Sequence, residues 1–170
     1  MTDDLGNAGD GLDALQPVGP RGGGYHVDIP LRWNDMDAFG HVNNVSWARL
    51  LEQARVETLL DWFGAHGEEI LAGQVLLVHQ ELEYLRTLEY RRAPVRVDVW
   101  VASIARTAYT LAYTMRDPEE EGDLEYLIAE TTLVSFDPKA GRTRALSEDE
   151  QAVLASHLGE PVPLRRRRSA

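Results

Sequence analysis

Polar groups crowd the stretch Arg32-Trp33-Asn34-Asp35-Met36-Asp37-Ala38-Phe39-Gly40-His41-Val42-Asn43-Asn44-Val45: two carboxylates (Asp35, Asp37), one imidazole (His41), the amides of Asn43 and Asn44, and Gly40. A positioned carboxylate can take a proton from water or attack a carbonyl directly. Free N–H groups at a helix start can stabilise the oxyanion that either route creates, because their dipoles point at the developing charge. Asp37 stands seven residues before Asn44, a candidate N-cap of the helix that follows. A folded loop can bring such a carboxylate beside the helix start. Aspartates also bond to backbone in turns, so both acids have a loop-structuring reading as well, and Asp35 is assigned to it. Gly40 implies a backbone conformation closed to other residues, or close approach to a ligand. Asp35, Asp37 and His41 can be read as metal ligands, but no second acid/histidine cluster completes a set, and no metal is expected.

The flanking elements have to hold these groups. From Tyr25 to Trp33 the residues alternate: Tyr25, Val27, Ile29, Leu31 and Trp33 share one side of an expected strand. Pro30 removes a ladder donor there and marks an edge or a bulge. From Val45 to about Phe63 the pattern becomes helical. Ser46, Arg49, Gln53, Glu57 and Asp61 form an expected wet stripe, opposite Trp47, Ala48, Leu51, Leu59 and Trp62. Arg55 falls in the middle of the apolar side. An unpartnered buried arginine would be costly, so Glu52, three residues earlier, is the expected partner. Asn43 or Asn44 suits the N-cap, and Gly64 and Gly67 mark the end.

Four more strands are expected. Leu76, Val78, Leu82 and Tyr84 alternate with His79, Glu81 and Glu83. Val95, Val97, Val99 and Val101 alternate with Arg96, Asp98 and Trp100. Tyr109, Leu111, Tyr113 and Met115 alternate with Thr110, Ala112 and Thr114. Residues 125 to 136 carry apolar side chains on both faces and read as a strand buried on both sides. Ser147 with Glu150 is a capping box for a short last helix. The order is strand, long helix, four strands, short helix. A five-stranded sheet around one helix buries the helix's apolar side and covers one sheet face, an α+β arrangement.

The segment Asp35-x-Asp37-x-x-Gly40-His41-Val42-Asn43-Asn44, followed by Glu52-x-x-Arg55, resembles the signature of the hot-dog-fold acyl-CoA thioesterases of the 4-hydroxybenzoyl-CoA thioesterase-like branch. The resemblance spans roughly residues 25 to 158, and its specific residues lie within 32 to 55. It implies a hot-dog fold, in which a five-stranded antiparallel sheet wraps one long central helix. It implies that Asp37 is the catalytic carboxylate, as general base or nucleophile. The principal oxyanion donor would be the Asn44 backbone N–H. His41 would either assist through a hydrogen bond or stabilise the loop, and Asn43 would order the loop or cap the helix. Glu52 would be a supporting acid or only the partner of Arg55. Trp47 stands where these proteins often have tyrosine, which removes a hydroxyl and reshapes the acyl pocket. Met36 is less polar than the residue often found between the two acids. Arg91 and Arg92 are candidates for coenzyme A phosphate contacts, beside the reading of a solvated loop. Coenzyme A would enter as part of the substrate, with no other cofactor. The resemblance also implies a homodimer, or a tetramer built from dimers, with the substrate channel at a subunit interface. Two other functions fit parts of the pattern: a hot-dog hydroxyacyl-thioester dehydratase using His41 with Glu52, and a non-catalytic acyl-CoA-binding module.

Composition bounds these readings. The chain has 170 residues, 44% hydrophobic and 26% charged, as in an ordinary globular domain. With no cysteine, disulfides, thiolate zinc sites and a cysteine nucleophile are excluded. The net charge of −11 argues against a nucleic-acid-binding body. No apolar run approaches the roughly 20 residues of a membrane span, and the acidic N-terminus lacks the apolar core of a signal peptide, so a cytoplasmic location is expected. The expected organisation is a loosely ordered segment over residues 1–23, one domain over 24–160, and a basic tail over 161–170 that includes Arg165 to Arg168.

Overall fold

A computed structural model describes residues 25–64, 67, 74–122 and 124–165. The expected N-terminal segment, the Arg166–Arg168 part of the basic cluster and most of the stretch around Gly67 lie outside the described residues. The elements are β1 (Tyr25–Ile29), α1 (Asn44–Phe63), β2 (Val75–Tyr84), β3 (Val95–Ile104), β4 (Ala108–Arg116), β5 (Glu125–Asp137), β6 (Arg142–Thr143) and α2 (Glu148–Ala155). The strands form one antiparallel sheet in the order β1-β3-β4-β5-β2, with the two-residue β6 added on β5. The five expected strands are therefore present, and β6 is a sixth that the turn signal at Asp137 to Gly141 concealed.

The buried side of α1 consists of two adjacent i, i+4 ridges: Trp47, Leu51, Arg55 and Leu59 beside Ser46, Leu50, Ala54 and Thr58. Ser46 is therefore buried, not part of the wet stripe. The wheel placed only the first ridge inside. That side meets β1 and β3, and with the inner sheet residues it forms the main core. Gly64, at φ +52, ends the helix as expected.

β1 is shorter than its alternation. It stops at Ile29, before Pro30, and Trp33 sits in a 3₁₀ turn over Trp33–Asp35 with its ring exposed against Tyr90. β2 corrects a second parity. A bulge between Leu77 and His79 shifts the register, so Val75, Leu77, Gln80, Leu82 and Tyr84 stand opposite Ser135, Leu133, Thr131, Ala129 and Leu127. Leu76 thus shares a face with His79 and Glu81, not with Leu82 and Tyr84.

The outer face of the sheet is covered too. Trp100, Ala112 and Ile128 pack with Leu85, Val162 and Leu164 in a second cluster. Trp100 Nε1 donates to the Glu160 carbonyl at 2.8 Å, and a Cβ on Gly159 would stand 2.6 Å from the Trp100 ring. The packed chain therefore runs past the boundary expected at residue 160. α2 starts as its capping box requires: Ser147 Oγ accepts from the Glu150 N–H, and Glu150 Oε2 accepts from the Ser147 N–H. Among the described residues no helix is long and apolar enough to cross a membrane.

One buried ion pair ties β3 to β4. Arg116 Nε donates to Asp98 Oδ2 at 2.6 Å, and both side chains are nearly inaccessible. Removing one member strands a buried charge. Asp98→Ala is expected to lower unfolding free energy by about 3–5 kcal/mol, measured by urea denaturation. The double variant Asp98→Ala/Arg116→Met should recover much of that loss.

Candidate active site

The stretch between β1 and α1 folds back on itself. The Asp35 N–H donates to the Arg32 carbonyl at 3.0 Å, and Asp35 Oδ2 accepts the Arg32 N–H at 2.7 Å. The Asp35 carbonyl accepts the Asn43 N–H at 2.8 Å, and Met36 bridges to Val42. Asp35 is buried within this network, so its bonds are those of a loop-structuring residue.

Asp37 closes the tip. Its N–H donates to the His41 carbonyl at 2.8 Å, and its carbonyl accepts the Gly40 N–H at 3.1 Å. Its Oδ1 accepts the Phe39 N–H at 2.8 Å and the His41 N–H at 3.4 Å. This is an Asx-type turn. Oδ2 takes no hydrogen bond among the described residues, so one oxygen holds the loop and the other remains open. The two readings of Asp37 are therefore compatible in one side chain. Gly40 adopts φ +81 with nothing within 4 Å of an added Cβ. The left-handed backbone, not close approach, is what requires glycine there.

Asn43, not Asn44, is the N-cap: its Oδ1 accepts the Val45 N–H at 2.8 Å. Asn44 is consequently the first helical residue. Its N–H is one of the groups that a helix leaves without an internal acceptor, and no other described residue accepts it.

A cavity of 420 Å³ opens between this loop, the start of α1 and the chain after β2. It is lined by Asp37, His41, Val42, Asn44, Trp47 and Tyr84 to Leu88. The Val42 N–H donates to the Leu88 carbonyl at 2.8 Å, and His41 bridges to Glu89, which holds the two walls together. Trp47 is buried and packs on Tyr84 with ring centroids 6.1 Å apart.

The sequence-derived residues thus divide. Asp37, His41, Asn44 and Trp47 meet at one cavity, while Gly40 and Asn43 shape it from behind. Glu52 does not line it. Its side chain is 66% exposed, with Oε1 3.8 Å from Arg55 Nη2, a looser pairing than expected for a buried arginine. His41 and Glu52, the pair a dehydratase would use, are therefore not brought to one space. Arg91 does not line the cavity either. It is paired with Asp117 and donates to Tyr126 Oη at 3.2 Å and to the Pro94 carbonyl at 3.2 Å. Arg92 is exposed. Sequence reasoning missed Arg86 and Thr87, which carry no motif and reach the site through the fold. Among the described residues no cluster of three or more His, Asp or Glu could hold a metal ion.

A curled antiparallel sheet with a helix against it is consistent with the thioesterase hot-dog fold. Residues 31–156 match the thioesterase-like superfamily, and the chain belongs to that family. No curated protein matches it. Solved structures do. A predicted thioesterase from Bacillus stearothermophilus aligns with TM-score 0.71 and 19% identity over 81% of this chain and 98% of that one. A thioesterase superfamily protein from a Jannaschia species aligns with TM-score 0.73 and 13% identity over 85% and 99%. A Thermus thermophilus thioesterase, solved with coenzyme A and Zn, aligns with TM-score 0.67 and 22% identity over 81% and 96%.

The cap gives a direct test of this geometry. Asn43→Ala is expected to lower stability by about 1 kcal/mol in urea denaturation and to loosen the helix start. Asn43→Asp should retain the cap and most of the stability.

Proposed function

We propose that this protein is an acyl-CoA thioesterase that hydrolyses an acyl-CoA thioester to the free acid and coenzyme A. The observation that carries the reading is the shared cavity: Asp37 and the first residue of α1, Asn44, line one space. In the proposed reaction Asp37 takes a proton from water while the water oxygen attacks the thioester carbon. The carbonyl oxygen becomes an oxyanion that accepts from the Asn44 N–H, with His41 assisting. As the carbonyl re-forms, the C–S bond breaks and the coenzyme A sulfur leaves and takes up the proton. Direct attack by Asp37 would pass instead through an anhydride, which water opens to the same products.

Trp47 and Tyr84 would bound the acyl group. Coenzyme A enters as part of the substrate, and the mechanism uses no metal or redox cofactor. For its phosphates, exposed Arg92 is better supported than Arg91, whose guanidinium is occupied by Asp117 and Tyr126. Membership of the thioesterase-like superfamily supports the reaction class. The coenzyme A bound by the Thermus thermophilus protein supports the substrate class.

In the hot-dog arrangement proposed here, α1 is the central helix that the sheet wraps. The working form is a homodimer, or a tetramer built from dimers, in the cytoplasm, without nucleic acid or membrane partners. β2 supports this assembly: it is an outermost strand of the sheet, and Leu76, Leu77, Val78 and Tyr84 on it are exposed.

Two measurements test the reading. Asp37→Asn is expected to keep its melting temperature and acyl-CoA binding while turnover falls about a hundredfold or more, followed by thiol release across short, long and aromatic acyl-CoAs. Asp35→Asn should lower the melting temperature at least as visibly as the rate. A folded Asp37→Asn that works at the wild-type rate would remove the catalytic assignment. Sedimentation at assay concentration should give a dimer or larger, and a fully active monomer would refute the proposed assembly.

A further inference from the structure

The basic cluster Arg165 to Arg168 has no part in the reaction proposed above, and its first member fixes where the cluster stands. The Arg165 N–H donates to Glu83 Oε2 at 2.9 Å, and Arg165 Nε lies 3.3 Å from Glu83 Oε1. Leu164, one residue earlier, is fully buried in the outer cluster that also holds Leu85 and Trp100. An apolar anchor and a two-point polar contact thus hold the chain beside the end of β2.

That strand end also borders the candidate active site. Tyr84 and Leu85 line the 420 Å³ cavity together with Asp37 and Asn44. Arg165 lines a second hollow of 290 Å³ with Glu81, Leu82 and Glu83, and Tyr84 is a wall of both. Arg168 is three residues beyond Arg165, so its Cα stands within about 11 Å of the Arg165 Cα. Chain length alone therefore confines three further guanidinium groups to the vicinity of these two spaces.

Charge decides which ligand gains from this. The protein carries a net charge of −11, and carboxylates surround the site. Asp37 lines the cavity, Glu89 is bridged to His41, and Glu81 and Glu83 line the neighbouring hollow. Among the described residues that line the cavity, Arg86 supplies the one guanidinium, and its Nη1 donates to the Glu125 carbonyl at 3.0 Å. A polyphosphorylated ligand entering this field meets repulsion. Adjacent arginines reverse the local sign, and guanidinium groups bind phosphate oxygens through charge-assisted hydrogen bonds. The acyl group of a thioester gains nothing from them, whereas the nucleotide end of coenzyme A does.

We infer that Arg166, Arg167 and Arg168 form a phosphate clamp for the nucleotide end of coenzyme A, tethered at the Asp37 cavity by Leu164 and Arg165. The inference rests on the acyl-CoA reading of that cavity and adds to it a determinant of substrate class. Thioesters of coenzyme A are favoured over thioesters of bare pantetheine.

The test uses the full chain with Arg166→Gln, Arg167→Gln and Arg168→Gln combined, which leaves the Leu164 and Arg165 anchors in place. At low salt the KM for the best acyl-CoA and the calorimetric Kd for free coenzyme A should each rise about tenfold, two- to threefold per exposed pair. Added salt should narrow that difference, while kcat and Tm stay as in the wild type. The same acyl group on pantetheine, which lacks the nucleotide, should be hydrolysed alike by both proteins. The corresponding triple lysine variant should keep most of the affinity, since charge is retained. Unchanged KM and Kd in the glutamine variant, an equal loss with acyl-pantetheine, or a lysine variant as weak as the glutamine one would overturn the clamp and leave the thioesterase reading standing. A wild-type protein that neither binds coenzyme A nor hydrolyses any acyl-CoA would remove both.

Discussion

The hydrogen bonds that close residues 35 to 43 on themselves decide where α1 begins, and the candidate site depends on that start. The Asp35 carbonyl holds the Asn43 N–H, Met36 bridges to Val42, and Asp37 Oδ1 gathers the Phe39 and His41 N–H groups. Each bond is modest by itself, but together they bring the chain from the end of β1 to the cap of α1 in a single geometry. Asn43 then caps through its side chain, which leaves the Asn44 N–H without an acceptor among the described residues, in a residue that lines the same cavity as Asp37. Moving the cap by one residue would rotate the first turn by about 100° and carry both the donor and Trp47 away from the carboxylate.

The sheet can hold this loop because both of its faces are occupied. The inner residues of β3, β4 and β5 pack against α1, and their outer residues pack beneath the chain that follows α2. Trp100 anchors that outer layer by its Nε1 bond to the Glu160 carbonyl, and the close approach of Gly159 to its ring leaves no room for a side chain. Arg165, at the edge of the described chain, donates its N–H to Glu83 Oε2 at 2.9 Å. The first arginine of the basic cluster thus belongs to the packed domain.

Buried charge is handled differently in different places. Asp98 and Arg116 satisfy each other across β3 and β4. Arg91 is paired with Asp117 and donates to Tyr126 Oη. Arg55, on the helix face that meets the core, has the exposed Glu52 3.8 Å from its Nη2 and the buried Tyr113 hydroxyl as a polar neighbour. The first two arrangements fit structural pairs, which low-dielectric surroundings make specific. The third lacks the internal counter-charge that the others have.

The sequence by itself determined the local features, because these are written in neighbouring residues. Alternation located β1 to β4, an apolar run on both faces located β5, the switch to helical spacing located α1, Gly64 its end, and Ser147 with Glu150 the start of α2. The motif loop was legible for the same reason: Asp37, Gly40 and His41 bond mainly to atoms within a few residues. Other features were set by contacts distant in sequence. The bulge at Leu77 to His79 reverses the faces of β2, which is visible only against the register of β5. Ser46 is buried because a second helix ridge meets the core. Arg91 is occupied by an aspartate 26 positions away. Arg86 and Thr87 line the site because Leu88 pairs with Val42. Tertiary structure alone decided these matters, since long-range pairing determines which face and which partner each side chain meets, whatever its own residue type prefers.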